Sequence, residues 1–270
     1  DVSMRLGLPV VVHRAENIAL DLYYESGRVR AAAKVRDLEG EVAGRKLSQA
    51  NLQVTYLDPR LTIEALDGLF DGGRLCSIDL PGSARSGFFS LDLAEPYAFS
   101  LAGEMQNVDV SQLLRGVFNS DFANRGKINA DIQLHGRLSE LKGIQGAGRF
   151  RLTDSGLWAI PVFQVLFSQL GFESAAVFSR FDARFTVDQA KIDMDHIRLK
   201  SDLLSLVGRG KVDMQGNLSH NLEVNYSLLD HLGPITRVLY GIQSSLLRIS
   251  VQGNLDRPAV SIINISALSC

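Results

Sequence analysis

The amino-acid sequence predicts a mainly β fold, an antiparallel arrangement of strands interrupted by about three short amphipathic helices. Two observations predict the strands: apolar and polar residues alternate along most of the chain, and turn signals recur roughly every 8 to 12 residues. A third observation predicts the helices, because three short segments carry apolar residues at helical spacing.

The alternation is clearest in residues 128–135, where four apolar residues are interleaved with polar ones. A period of two places the apolar side chains on one face of a strand. The same pattern returns in Leu52, Val54 and Tyr56; in Leu61, Ile63 and Ala65; in Phe181, Ala183 and Phe185; and in Leu222, Val224 and Tyr226. The turn signals between such runs are Glu25-Ser26-Gly27, Asp58-Pro59, Asp71-Gly72-Gly73, Asn124-Arg125-Gly126 and Asp154-Ser155-Gly156.

The three predicted helices cover residues 109–118, 160–170 and 234–247. Pro161 and Pro234 stand early in the second and third of these segments, and Gly171 follows the second, all favourable placements for those residue types. A sheet with one apolar face must bury that face against something, so we expect the helices to plug an end or cover an open face.

The composition excludes several classes of protein. With 28 basic and 30 acidic residues the net charge is −2, so no positive field attracts nucleic acid. Only Cys76 and Cys270 are present, too few for a disulfide framework or a metal knuckle. No apolar stretch reaches the roughly 18 residues needed to span a bilayer, and the chain starts without a leader pattern. We therefore expect a piece of a longer protein whose membrane anchor lies elsewhere.

Residues that could carry chemistry are scattered. The five histidines show no metal-site spacing, and no Gly-x-Ser-x-Gly elbow occurs. Asp193, Asp195 and His196 cluster in sequence, but alternation around Ile192 and Met194 predicts a solvated surface for the acidic side chains. We expect no enzymatic activity, no cofactor and no metal.

From Gly126 onward, the order of sequence elements matches a known pattern. It runs through residues 148–152, the turn and helix of residues 156–170, residues 181–185, residues 192–201 and residues 208–213. Its most specific piece is the closing Gly-x-Leu-x-x-Pro-x-Val of residues 253–260. In these elements the chain resembles the C-terminal region of the AsmA family, which is related to TamB and to bridge-like lipid-transfer proteins.

The resemblance implies an elongated antiparallel sheet curled into a taco-like groove with an apolar inner face. Residues 1–125 would be a β-rich groove segment continuing from a missing N-terminal part, and residues 126–270 the AsmA-like C-terminal region. It also implies a periplasmic body of an inner-membrane-anchored protein in a Gram-negative envelope. The expected function is phospholipid transfer between inner and outer membrane, or outer-membrane assembly and integrity, with membrane contact through the missing parts.

The expected partners are phospholipid acyl chains, with outer-membrane or periplasmic proteins as further partners and no nucleic acid. The candidate lipid-contact residues are Ile128, Ala130, Ile132, Leu134, Phe181, Ala183, Phe185, Leu222, Val224 and Tyr226. If the helices close the sheet, these residues instead form a sealed core. The chain would then be a structural or protein-binding β scaffold that recruits envelope proteins through a strand edge. An enzyme on a β scaffold is disfavoured by the scattered chemistry.

Overall fold

A computed structural model describes residues 10–25, 27–42, 44–78, 87–111, 126–153, 165, 179–200, 205–213, 215–225, 247–254 and 257–264. The mainly β prediction is confirmed. The strands are Val10–Glu25 (β1), Arg28–Val42 (β2), Arg45–Leu57 (β3), Arg60–Phe70 (β4), Gly73–Ser77 (β5), Phe89–Asp92 (β6), Ala98–Asp109 (β7), Lys127–Arg137 (β8), Glu140–Thr153 (β9), Arg180–Asp188 (β10), Lys191–Lys200 (β11), Ser205–Asp213 (β12), Asn217–Asn225 (β13), Leu247–Asn254 (β14) and Arg257–Asn264 (β15).

The helix prediction is not supported by the part of the chain that the structure describes. Only Val110, Ser111 and Val165 are helical there. At the segment ends, Asp109 is the last residue of β7, and Leu247 is the first of β14, where it pairs with Asn264 of β15. The rest of the three predicted segments lies outside the described residues.

Turn chemistry explains where several strands end. Gly27 and Gly72 adopt positive φ angles of 79° and 76°, which glycine reaches without a steric penalty. These two turns, and the one at Asp58-Pro59, stand where the sequence predicts them. Gly126 precedes β8, and the remaining predicted turn residues 124–125 and 154–156 lie outside the described residues.

The chain divides into two compact units. The first contains Asp1–Val117 and Ile128–Gly148, and the second contains Phe118–Lys127 and Arg149–Cys270.

In the first unit the strand order is β1-β2-β3-β4-β5-β7-β8-β9, and β6 pairs with β4 and β7. All pairings with a described register are antiparallel. The register of β1 to β3 is broken near Asn17, Asp37 and Gln49, each with φ close to 50°. Such bulges bend a strand and increase its twist. The core of this unit centres on Leu47, Ala50 and Leu66.

In the second unit β10 to β15 follow one another in both sequence and space. All five pairings are antiparallel. Apolar residues point to one face and polar residues to the other, as alternation requires. The most deeply buried side chains of this face belong to Leu199, Leu206, Ile249 and Val251.

Candidate functional site

The second unit carries a continuous apolar face built from matched positions on successive strands. One row across the sheet contains Ala183, Ile197, Gly208, Leu222, Ile249 and Ile262. The next row contains Phe181, Leu199, Leu206 and Val224. Four of the candidate lipid-contact residues therefore share one face, and Phe185 joins them because it lies two residues from Ala183 along β10.

Burial distinguishes these five residues. Ala183, Leu222 and Val224 are 3%, 4% and 5% exposed, so the chain itself covers them. Phe181 and Phe185 are half-buried. Phe150 of β9 packs edge-on against Phe181, with ring centroids 5.2 Å apart, and lies 6.2 Å from Phe185. This aromatic group borders Ala183 on the same face, and edge-to-face geometry adds to its burial energy.

The four candidates on β8 belong to the first unit. Ile128, Ala130, Ile132 and Leu134 are all half-buried. A Cβ at Gly146 of β9 would collide with Leu134 and with the backbone before it, so glycine permits a close approach there. Tyr226, the tenth candidate, lies outside the described residues.

Sequence reasoning missed a second apolar surface, on the first unit. We call Ile18, Leu20, Leu22 and Tyr24 of β1 the β1 strip. Leu20, Leu22 and Tyr24 are 65%, 69% and 75% exposed. Leu20 and Leu22, on either side of Asp21, follow the same period-two pattern, so this part of the surface was readable from the sequence.

The β1 strip is one end of a longer apolar row. Leu22 pairs with Ala31, which pairs with Tyr56, and Tyr56 pairs with Leu61. Leu61 in turn pairs with Leu91, which is fully buried. The same face thus passes from open solvent at the edge strand to a closed core four strands away.

The opposite face of this sheet is polar and holds an open hollow of about 820 Å³. Glu64 accepts hydrogen bonds from Gln53 Nε2 at 2.6 Å and from Thr55 Oγ1 at 2.9 Å. Arg60 donates to both oxygens of Asp92, at 2.5 and 3.0 Å, and these bonds hold the pKa of the Asp92 carboxyl below its usual value. These donors and acceptors on the polar face satisfy one another, which is typical of a solvated sheet face.

One polar side chain interrupts the apolar face of the second unit. His220 of β13 pairs with Gly210 and Val251 on the two neighbouring strands. Its Nδ1 atom is buried without a hydrogen-bond partner among the described residues. Burial lowers the pKa of the imidazole, because the charged form would lose its hydration.

Charged groups of the second unit lie mainly on its other face. Asp193 forms an ion pair with Lys211 at 2.8 Å, while Asp195 and His196 are exposed in a bulge of β11. The predicted solvated surface at this cluster is therefore confirmed. In the described ranges no group of three or more His, Cys, Asp or Glu side chains is arranged to hold a metal ion.

Asp182 stands between two arginines. Arg180 Nε lies 2.5 Å and Arg151 Nε 2.7 Å from its carboxylate oxygens. Burial opposes ionisation of Asp182, but the two arginines together outweigh it and hold the pKa of the carboxyl below its usual value.

Comparisons of the chain with family models, with curated proteins and with solved structures find no match. None of the helical positions that the structure describes belongs to a segment with the length and apolarity needed to cross a bilayer.

Proposed function

We propose that this chain is a non-enzymatic cell-envelope segment that holds phospholipid acyl chains against an apolar sheet face. Its role would be phospholipid transfer between the inner and outer membrane, or outer-membrane assembly and integrity. In this proposal the chain is the periplasmic part of an inner-membrane-anchored protein, related to the AsmA family, and its strands curl into a groove.

The observation that carries the proposal is the open apolar row of the first unit. Leu20 and Leu22 are exposed, while Ala31 and Ala33 beside them are half-buried and leave a shallow surface. Contiguous exposed apolar side chains are unusual on a monomeric soluble protein and mark a binding surface. An acyl chain laid along this row would gain about 0.8 kcal/mol for each methylene removed from water.

The candidates differ in how well they suit this role. Ala183, Leu222 and Val224 are already covered by the chain, so lipid could reach them only after that cover moved. The β1 strip, Ala31 and Ala33 are accessible without rearrangement. We therefore place the first acyl contact on β1 and β2 rather than on β10 and β13.

The test is lipid capture by the whole chain. The protein is purified without detergent, analysed by native mass spectrometry for bound phospholipid, and titrated with vesicles containing a fluorescent phospholipid. We expect stoichiometric phospholipid and saturable uptake. A lipid-free, monodisperse protein that takes up no fluorescent lipid would refute the proposal.

Strand β2 offers a matched pair of variants. Ala31→Asn with Ala33→Asn places two amides on the apolar face, and desolvating each costs about 1 to 3 kcal/mol, so uptake should fall at least about tenfold. Ala32→Asn places the same group on the polar face, because Ala32 lies between them in the strand. Uptake by the Ala32→Asn variant should match that of the unmodified chain.

A specific observation favours one alternative, a structural or protein-binding scaffold. The apolar face of the second unit is covered by the chain itself at Ala183, Leu222 and Val224, as in a sealed core. A scaffold would be stable and lipid-free in the experiment above. It would still bind envelope proteins, and the result therefore separates the two functions.

A further inference from the structure

Exposed arginines are concentrated on the polar face of the second unit. Arg184, Arg198 and Arg209 are exposed on three successive strands, β10 to β12. Each of the three directly follows a member of the apolar row, so its side chain points to the opposite face. We call the basic residues of this region the arginine surface: Arg151, Arg180, Arg184, Arg198, Lys200 and Arg209.

Strand pairing brings these arginines within reach of one another. Arg184 pairs with His196, which stands two residues before Arg198 on β11. Arg198 in turn pairs with Val207, which stands two residues before Arg209 on β12. Long side chains at such diagonal positions reach each other across a sheet, and like charges there repel. The three arginines therefore share one positive field.

The nearest carboxylate does not neutralise this field. Asp182 is directly opposite Arg198. Its oxygens lie 2.5 Å from Arg180 Nε and 2.7 Å from Arg151 Nε. One negative charge thus stands among three arginines, which leaves two positive charges unmatched.

The carboxylates at the border of the arginine surface bring their own bases. Asp193 pairs with Lys211 at 2.8 Å, and Glu223 pairs with Arg248 at 3.4 Å. Asp195 is exposed in the β11 bulge. The six basic residues of the arginine surface therefore face two carboxylates, Asp182 and Asp195, with an excess of four positive charges.

The composition and extent of this surface favour a partner that presents many phosphates. Five of its six bases are arginines, whose planar guanidinium groups bind phosphate oxygens in pairs. They spread over four strands, about 14 Å across the sheet and about 13 Å along it. Single-stranded nucleic acid is held by aromatic side chains among the bases. In the described parts of β9 to β12, however, Phe150, Phe181 and Phe185 all lie on the apolar face.

We propose that the arginine surface binds the phosphate groups of an anionic phospholipid membrane. This inference gives the second unit a membrane contact of its own. It goes beyond the proposed function, which concerns acyl chains on the first unit, and does not depend on it. Each basic residue close to an anionic membrane surface strengthens binding about fivefold.

The test is co-sedimentation of the whole chain with vesicles. One set contains phosphatidylcholine with about 30% phosphatidylglycerol, and the other contains phosphatidylcholine alone. At about 0.1 M salt we expect at least about tenfold tighter binding to the anionic vesicles. The difference should vanish at about 1 M salt, where charges are screened beyond about 3 Å.

Arg198→Gln with Arg209→Gln is the decisive variant. Neither side chain has an ion-pair partner among the described residues and both are exposed, so the circular dichroism spectrum should be unchanged. Binding to anionic vesicles should weaken at least about tenfold. Arg30→Gln with Arg36→Gln is the matched control, because it removes the same charge from exposed positions of the first unit. It should bind anionic vesicles normally.

Three results would overturn the inference. They are equal binding to the two kinds of vesicle, an equal loss in the control variant, or binding of labelled DNA at a lower phosphate concentration than the anionic vesicles. In the third case, loss of DNA binding in Arg198→Gln with Arg209→Gln would identify nucleic acid as the partner.

Failure here is distinguishable from failure of the lipid proposal. Arg198→Gln with Arg209→Gln should still take up fluorescent phospholipid from neutral vesicles, because its apolar faces are unchanged. Ala31→Asn with Ala33→Asn should still sediment with the anionic vesicles, because its arginine surface is intact.

Discussion

The imidazole of His220 lies over Gly210 on the neighbouring strand and fills the space that a Cβ at position 210 would need. The ring fits into this otherwise apolar face because residue 210 is a glycine and has no side chain there. Because Nδ1 has no partner among the described residues, this face favours the neutral ring over the charged one.

Acid should destabilise the second unit through His220. The folded-state pKa of this histidine is lowered from 6.5, so below pH 6.5 the unfolded chain binds a proton that the folded chain resists. Stability from this residue is present above pH 6.5 and is lost as pH falls towards the lowered pKa. We expect the free energy of unfolding, measured by urea titration, to fall as the pH is lowered below 6.5, by no more than about 1.4 kcal/mol per pH unit from this residue.

His220→Leu should remove that component of the pH dependence. His196→Leu is the control, because His196 is exposed in the β11 bulge. Equal slopes in the unmodified chain and in His220→Leu would contradict the prediction.

Gly210→Ala should destabilise the chain by about 1 to 3 kcal/mol, because the new Cβ collides with the His220 ring. In a His220→Ala background the same substitution should cost less, since the ring is gone. A double-mutant cycle by thermal or urea unfolding measures the coupling, expected to exceed about 1 kcal/mol. Additive effects would mean that the two residues do not share this space.

The effect of burial can be measured by comparing Leu206→Ala with Leu20→Ala, since both leucines lie in β-strands. Leu206 is fully buried, so its truncation should cost about 2 to 5 kcal/mol of unfolding free energy. Leu20 is largely exposed, and its truncation should change stability by no more than about 0.5 kcal/mol. A small cost at Leu206 would show that the apolar face of the second unit is not a packed core.

Asp182→Asn should cost about 1 to 3 kcal/mol at neutral pH, because two charge-assisted hydrogen bonds from Arg180 and Arg151 are weakened. The folded-state pKa of Asp182 is lowered from 3.8, so its contribution is present above pH 3.8 and is lost as pH falls through the folded value. The difference between variant and unmodified chain should therefore shrink below pH 3.8. Asp195→Asn, in the exposed bulge, is the control and should change the free energy of unfolding at neutral pH by no more than about 0.5 kcal/mol.

The strands were predictable because their signals are local. Alternation in Leu52, Val54 and Tyr56 places β3 correctly, and Gly27 and Gly72 mark turns that favour positive φ. Period-two patterning and turn chemistry act over a few residues, so no knowledge of the partner strand is needed.

The faces were harder to predict because they depend on pairing. In a regular strand, odd-numbered and even-numbered residues lie on opposite faces. The bulge at Asp195 and His196 interrupts this alternation in β11, so the odd-numbered Ile197 and Leu199 lie on the same face as the even-numbered Ile192. Exposure is harder still to predict. Leu20 and Leu206 both sit in apolar runs, and only the tertiary structure determines that one is open and the other covered.

The connectivity of β10 to β15 has a kinetic consequence. Each of these strands pairs with the strand next to it in sequence, and most of the connecting segments are short. The entropy lost in closing each hairpin is then small, and a low contact order favours rapid folding. The exception is the 21-residue connection between Asn225 and Leu247, whose closure costs more. Folding of the second unit should therefore slow at the step in which β14 pairs with β13, after the hairpins on either side have formed.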